Sequence, residues 1–437
     1  MQKTNFFNEF VKYASLNVLG MLGLSCYILA DTFFVAQGLG TSGLAALNLA
    51  IPVYSFIHGS GLMLGMGGAT KYSIYKGKNW DTAADNVFSN TVYAAATISV
   101  VFALCGVFFS GALTSVLGAD AEVFEMTDTY MKTILLFSPA FMLNNVFICF
   151  VRNDGNPKLS MIAMIAGSLS NVVLDYVFIF PCRMGMFGAA FATGLAPVIS
   201  IMILSIHKLK KLNQFKLKIV KPSPKEILSS MSLGFPSLVT EVSSGIVIIV
   251  FNAIILKLAG NTGVAAYGVI ANLSLVVVAV YTGIAQGIQP LMSRSYGNGA
   301  ILGVKRILGY ALVSAAVFSV VIYAAVFFGS EQITAVFNSE NNLQLQGIAD
   351  NGMKLYFTAI LFVGFNIIVS VFFTSTERAL PAHAISLLRG LIIIVPAAYL
   401  LSGLLGLTGV WLAFPATEFI VSVVGAALYK HTQKRLS

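Results

Sequence analysis

Stretches of about 20 apolar residues recur along the whole 437-residue chain, and this feature decides what it can become. An α-helix rises about 1.5 Å per residue, so each stretch spans the roughly 30 Å hydrocarbon layer of a bilayer. Charged residues make up 10% of the chain, against roughly 25% in soluble domains. The runs are continuous rather than alternating, which excludes a membrane β-barrel and leaves helices. The expectation is an all-α integral membrane protein.

Twelve spans fit the breaks: about 10–37, 44–73, 86–112, 126–152, 159–181, 184–207, 227–257, 263–292, 303–328, 347–375, 381–402 and 406–430. The formal charge of +9 would suggest a nucleic-acid partner in a soluble protein. Here it lies in short loops and reports orientation and contact with anionic lipid, so no nucleic acid is expected. With the N-terminus inside, 21 of the 26 Lys and Arg residues fall on the inner side, including Lys3, Lys434 and Arg435. Both termini are therefore expected in the cytoplasm, with the chain in the inner (plasma) membrane. Two long outer loops are acidic, "GADAEVFEMTD" and "NSENNLQLQGIAD". The four cysteines are scattered singly, and no metal or redox spacing is present. The N-terminus has no cleavable signal pattern.

One obvious linker, "HKLKKLNQFKLKIVKPSPKE" at 207–226, divides the chain into lobes 1–206 and 227–437 of six spans each. The lobes resemble each other. "GLGTSGLAALNLAIP" at 38–52 parallels "LAGNTGVAAYGVIAN" at 258–272. At a shift of 220, Gly40, Gly43, Ala45 and Ala46 fall on Gly260, Gly263, Ala265 and Ala266, and Ser73 and Gly77 on Ser293 and Gly297. With a small further shift, Tyr130 and Arg152 fall on Tyr356 and Arg378. An even number of helices per repeat keeps both lobes in one orientation, with a substrate cavity expected between them.

Four acids lie within spans: Asp31, Asp175, Glu241 and Glu418. A carboxylate at the bilayer centre costs about 2.5–3.5 kcal/mol, so each should face the protein interior, find a partner or bind a proton. Asn171 and Asp175, four apart, share one helix face, as do Tyr27 and Asp31. The topology places Asp31, Tyr130, Asp175 and Thr193 in the outer half of the first lobe, on four helices. Polar groups that only tie helices together are common, but two carboxyls at matched depth point to an ion site. In the second lobe Arg389 and Glu418 read as a structural ion pair. Glu241 reads as a cavity residue that meets a cationic substrate, with Tyr27 and Asn252 as further lining. His58 reads as a packed histidine, and Arg152–Asp154 and Glu377–Arg378 as anchors at helix ends, near an inner gate. "GSGLMLGMGG" at 59–68 lacks the Lys-Ser/Thr of a phosphate loop and fits close helix packing.

Together, "YILADTFFVAQGLG", "RNDGNPKLSM", "NVVLDYVFIF", "GAAFATG", "GVAAYGVIANLS", "GIAQGIQPLMSRSYGNG" and "TERALPAHAISLLRG" resemble the multidrug and toxic compound extrusion (MATE) transporters, of the MepA-like group near the DinF branch. The resemblance covers almost the entire length. It implies a V-shaped pair of six-helix bundles exporting organic cations and other amphiphiles by antiport with H+ or Na+. It assigns the ion site to Asp31, Asn171, Asp175 and Thr193, with Tyr130 beside them. Related members often carry a proline in helix 1 about fifteen residues before the aspartate; this chain has Leu16 there, with Asn17 next. Pro236 retains the proline of the second lobe.

The resulting expectation is a secondary-active multidrug and organic-cation exporter, not an enzyme. It would need no cofactor beyond H+ or Na+ and would act as a monomer on small amphiphilic or cationic molecules in a lipid bilayer. A lipid-linked precursor flippase would instead want a cationic cavity. A channel would show conductance without counter-ion flux. A membrane-embedded enzyme would want a nucleophile or metal motif, and HExxH and GxSxG are both missing.

Overall fold

The computed structural model describes residues 6–338 and 342–433, the last by its backbone alone. Lys3, Lys434, Arg435 and the 339–341 tip of the second acidic loop lie outside the described residues. Among the described residues every regular element is helical. In order they are α1 Phe6–Gly77, α2 Asp81–Val116, α3 Phe124–Leu136, α4 Ser138–Asn153, α5 Pro157–Ile179, α6 Gly185–Leu204, α7 Ile206–Leu209, α8 Pro224–Gly297, α9 Ile301–Phe337, α10 Leu343–Tyr356, α11 Ile360–Ser375, α12 Ala379–Leu387, α13 Ile394–Leu405 and α14 Leu407–Gln433.

Two of these are far too long for one crossing: α1 has 72 residues and α8 has 74. A straight helix of 72 residues would run about 108 Å, more than three times the hydrocarbon thickness. Each breaks at one glycine, Gly40 (φ 68°, ψ −158°) and Gly260 (φ 62°, ψ −161°). That backbone region is open essentially to glycine alone. Nine of the described helical segments are long and apolar enough to cross a membrane, and the bent pair α3–α4, at 48°, makes ten. Counting the halves of α1 and α8 separately gives the twelve crossings expected from the sequence.

The repeat is visible in the packing. Gly67 presses on the backbone of Ser230 and Gly234, and Gly287 presses on the backbone of Tyr13 and Ala14. At the shift of 220, Gly67 corresponds to Gly287 and Gly234 to Ala14. Gly77 and Gly297, also a corresponding pair, touch each other. The lobes therefore meet about a pseudo-two-fold axis near the linker end of the bundle. Farther from the linker the lobes still touch at His58 and Glu241.

Each lobe has its own apolar core. One boundary differs from expectation: Phe10 and Ala14, at the start of α1, pack into the core of the second lobe. The linker also differs. His207 is still helical, and Ser223 caps α8 with Pro224 at its first position. Between these points the chain is extended and fastened to the first lobe. Gln214 N donates to Asp154, Lys216 N to Asp85, Lys218 N to Ser89 and Ser223 N to Asn90. Phe215 is buried against Phe88 and Phe150. A basic, Pro-ended composition reads as a free linker; side-chain acceptors spaced along α2 turn it into a strap.

Candidate functional site

In the first lobe α1, α3, α5 and α6 bring Asp31, Tyr130, Asn171, Asp175 and Thr193 together. All five are buried, with Asn171 and Asp175 fully so. The helices approach because their facing residues are small or flexible: a methyl group on Gly20 would meet Met164, and one on Gly167 would meet α6 at Ala196. The Asp31 and Asp175 carboxyls lie within hydrogen-bonding reach of one another. The Asn171 amide bridges to the next helix: its nitrogen donates to Asp175 Oδ2 at 3.0 Å and its oxygen accepts from the Thr193 N–H at 3.2 Å. That orientation satisfies both ends of the amide. The Thr193 hydroxyl donates to the Ala189 carbonyl at 3.0 Å, and the Tyr130 hydroxyl is in reach of it.

No Lys, Arg or His forms an ion pair with either carboxyl among the described residues. Asp31 Oδ1 and Asp175 Oδ1 are both buried without a hydrogen-bond partner. Two neighbouring carboxylates resist being ionised together without a cation between them, because their charges repel at short range in a medium of low dielectric. The carboxyl and hydroxyl oxygens of the cluster suit a proton or a hard cation.

A cavity of about 770 Å³, its open side included, adjoins this cluster. Thr193 belongs to both, and Tyr27, Tyr54, His58 and Glu241 line it as well. The Tyr27 and Tyr54 hydroxyls share a hydrogen bond at 2.9 Å, and His58 stacks on Tyr54 with ring centroids 5.8 Å apart. A second cavity of about 720 Å³ lies in the other lobe, and Leu62, Glu241 and Gln286 line both. Glu241 thus stands where the two cavities meet. Its carboxylate faces His58 Nδ1 across the lobes at 3.5 Å. Asn252 is half-buried three turns farther along α8 and lines neither cavity.

In the second lobe Arg389 Nε donates to Glu418 Oε1 at 2.5 Å, and Asn366 donates to Glu418 Oε2 at 2.7 Å. Glu418 is fully buried, while Arg389 edges the second cavity. Arg389 lies in a five-residue π-helical stretch, Leu388–Ile392, which turns its side chain off the regular helix register.

Arg152 and Asp154 are not helix-end anchors. Arg152 is fully buried between the lobes. Asp154 instead gathers Tyr72, His207 and the strap amide of Gln214. The end of an amphipathic helix and the floor of a gate look alike in sequence; only the approach of α8 separates them. Tyr54 and Gln286 were also missed. Both are lone polar groups in apolar runs, the signal that singled out the carboxyls, but neither carries charge.

Two six-helix repeats that enclose cavities at their interface are the build of a membrane transporter. A family profile, MatE, matches residues 18–177 and 236–400, and the chain belongs to that family. It is 24% identical over 438 residues to the multidrug export protein MepA of Staphylococcus saprophyticus, covering 100% of this chain and 96% of that one. It is also 24% identical over 441 residues to MepA of Staphylococcus aureus MRSA252, with the same coverage. Among solved structures, a MATE-family multidrug resistance transporter in an outward-facing conformation superposes with a TM-score of 0.91 at 24% identity, over 98% of this chain and 96% of that one. A MOP-superfamily transporter from Pyrococcus furiosus gives 0.90 at 23% identity over the same shares. The resemblance read from the sequence motifs and the twelve-helix, two-lobe fold are thereby both met.

Proposed function

We propose that this chain exports amphiphilic or cationic small molecules across the cell's inner membrane in exchange for H+ or Na+, acting as a monomer with both termini in the cytoplasm. The observation that carries the reading is the pair of touching, buried carboxyls of Asp31 and Asp175. They have no basic partner among the described residues, and Thr193 joins their cluster to the cavity wall.

The pair takes up a proton, or, with the Asn171 amide turned over to present its oxygen, holds Na+ with Asn171 and Thr193, when the cavity faces outward. Loading removes the repulsion between α1 and α5, and α1 settles against α5 and α6. Tyr27 lies one turn before Asp31 on α1 and lines the cavity, so that settling moves part of the cavity wall and expels the substrate outward. The lobes then rock, and the ion leaves on the other side. A membrane potential contributes about 2.3 kcal/mol per charge per 100 mV. Glu241, with Tyr27, Tyr54 and His58 around it, offers a cationic substrate a carboxylate and aromatic faces. A transporter of this build needs no catalytic group.

The flippase reading fits less well. The one Lys or Arg along either cavity among the described residues is Arg389, and its guanidinium is engaged by Glu418. A pyrophosphate would find no free cation there.

The test is efflux of a fluorescent cationic dye from proteoliposomes under separately imposed pH and Na+ gradients. The expected result is transport driven by one gradient and lost in Asp31→Asn and Asp175→Asn. Undiminished gradient-driven export in both variants would overturn the assignment.

A further inference from the structure

The largest wholly buried side chain among the described residues is Arg152, and no carboxylate lies within ion-pair distance of it. Arginine stays charged in proteins. A full positive charge therefore sits in the closed seam between the lobes, held only by dipoles. Nη1 donates to Asn17 Oδ1 at 2.9 Å and to Gln286 Oε1 at 2.8 Å; Nη2 faces Met66 Sδ at 3.2 Å and Cys149 Sγ at 3.5 Å. Met66 and Gln286 correspond at the shift of 220, so the guanidinium lies close to the pseudo-two-fold axis. Its nearest acid in sequence, Asp154, is taken up by Tyr72, His207 and Gln214.

What lies on either side gives this charge a purpose. Above it, Cys149 and Gln286 belong to the wall of the first cavity, and Met66 and Gln286 to that of the second. The guanidinium is thus one side chain below both cavity floors. Toward the linker end the seam is polar. Asn153 donates to Gln289 at 2.9 Å, Gln289 to Thr70 at 2.9 Å and to Ser293 at 3.3 Å, and Ser73 donates to Asn153 at 2.6 Å. These five side chains are buried and drawn from both lobes. A chain of hydroxyls and amides across a closed gate is a path that protons can follow.

We propose that Arg152 is the electrostatic seal of the closed gate: its uncompensated charge bars protons and other cations from the polar seam beneath the cavities. A fixed positive charge at a polar constriction raises the energy of any passing cation, the device by which an arginine excludes cations from narrow pores. At an effective dielectric near 20, a unit charge about 8 Å away lowers the local concentration of a monovalent cation roughly thirtyfold. Charge complementarity explains the otherwise costly choice of neutral partners. A carboxylate beside Arg152 would cancel the barrier.

The seal is tested without substrate, and its test does not depend on the export reading. Every protein carries Asp31→Asn, so each added change is compared with that background whatever the carboxyl pair does. Purified full-length protein is reconstituted in vesicles holding a pH-sensitive dye and radiolabelled sucrose, and a valinomycin-K+ potential drives protons inward. The expected result is that Arg152→Met raises proton entry by about thirtyfold. Arg152→Glu should raise it further, Arg152→Lys should stay tight, and sucrose should be retained throughout. Arg152→Met as tight as the background would overturn the proposal. So would escape of sucrose, or Arg152→Lys leaking as much as Arg152→Met, since either would mean that the residue serves only to pack the gate. Should Arg152→Glu fail to fold, the Met and Lys variants decide alone.

Discussion

The two lobes share one backbone plan and fill it with opposite chemistry. Asp31 in the first lobe corresponds to Phe251 in the second at the shift of 220, and Tyr130 to Tyr356 with a small further shift. Around Asp31 the site is a carboxyl pair with an amide and two hydroxyls. Around Phe251 it is a stack of rings: Phe251 on Tyr267 at 5.4 Å, Tyr267 near Trp411 at 6.1 Å and Tyr356 on Phe414 at 4.7 Å. Among the described residues the one buried acid of that lobe, Glu418, is neutralised by Arg389. A cluster with orphaned carboxyl oxygens can change its charge and its packing. A ring stack with a paired carboxylate has no second state of similar energy. The duplication supplies the framework, and on the proposed reading divergence confines ion response to one half.

The comparison can be broken by four experiments. The largest effect is expected from Asp175→Asn, which should lower gradient-driven dye efflux more than tenfold, the 1.4 kcal/mol that a tenfold change represents being small against removal of a coupling group. Efflux near the native rate would erase the distinction between the lobes. Next is Glu418→Gln, which strands Arg389 and should cost about 3–5 kcal/mol of stability. Thermal unfolding in detergent would read this, and the double change Arg389→Met, Glu418→Leu should recover most of the loss. If instead the recovered double variant is folded but silent in transport, the second lobe is more than a rigid partner. Phe251→Ala should cost about 3–5 kcal/mol by opening a cavity in the ring stack, with transport per folded molecule little changed. The smallest effect is expected from His58→Gln. It removes one interlobe contact with Glu241, which at 3.5 Å is worth no more than about 1 kcal/mol. The concentration of dye at half-maximal efflux should shift severalfold with the maximal rate intact; a collapse of the rate would place His58 in the ion pathway.

Much of this was legible in the chain. Apolar run length defined the crossings, since about 20 residues of helix match the bilayer whatever the packing. The internal repeat paired Gly40 with Gly260, and the structure breaks α1 and α8 at these two residues, in a backbone region that only glycine reaches. Four-residue spacing put Asn171 and Asp175 on one face, and counting directions across the membrane brought Asp31, Tyr130 and Thr193 to their level.

Other features depended on which helices touch, and no local pattern encodes that. Arg152 and Asp154 are two residues apart and read alike as anchors at a helix end; the approach of α8 sends the first into the gate, and the strap claims the second. The segment at 213–223 reads as a basic linker because its composition is that of a loop, yet its backbone amides meet acceptors on α2 and α4. His58 meets Glu241 only because Gly59 lets α8 come close. Sequence alone thus determined the number of crossings and the duplication, both of which follow from local helix geometry and the thickness of the bilayer. The tertiary structure decided which polar groups meet across the lobes, because those meetings depend on close approach between surfaces more than a hundred residues apart in the chain.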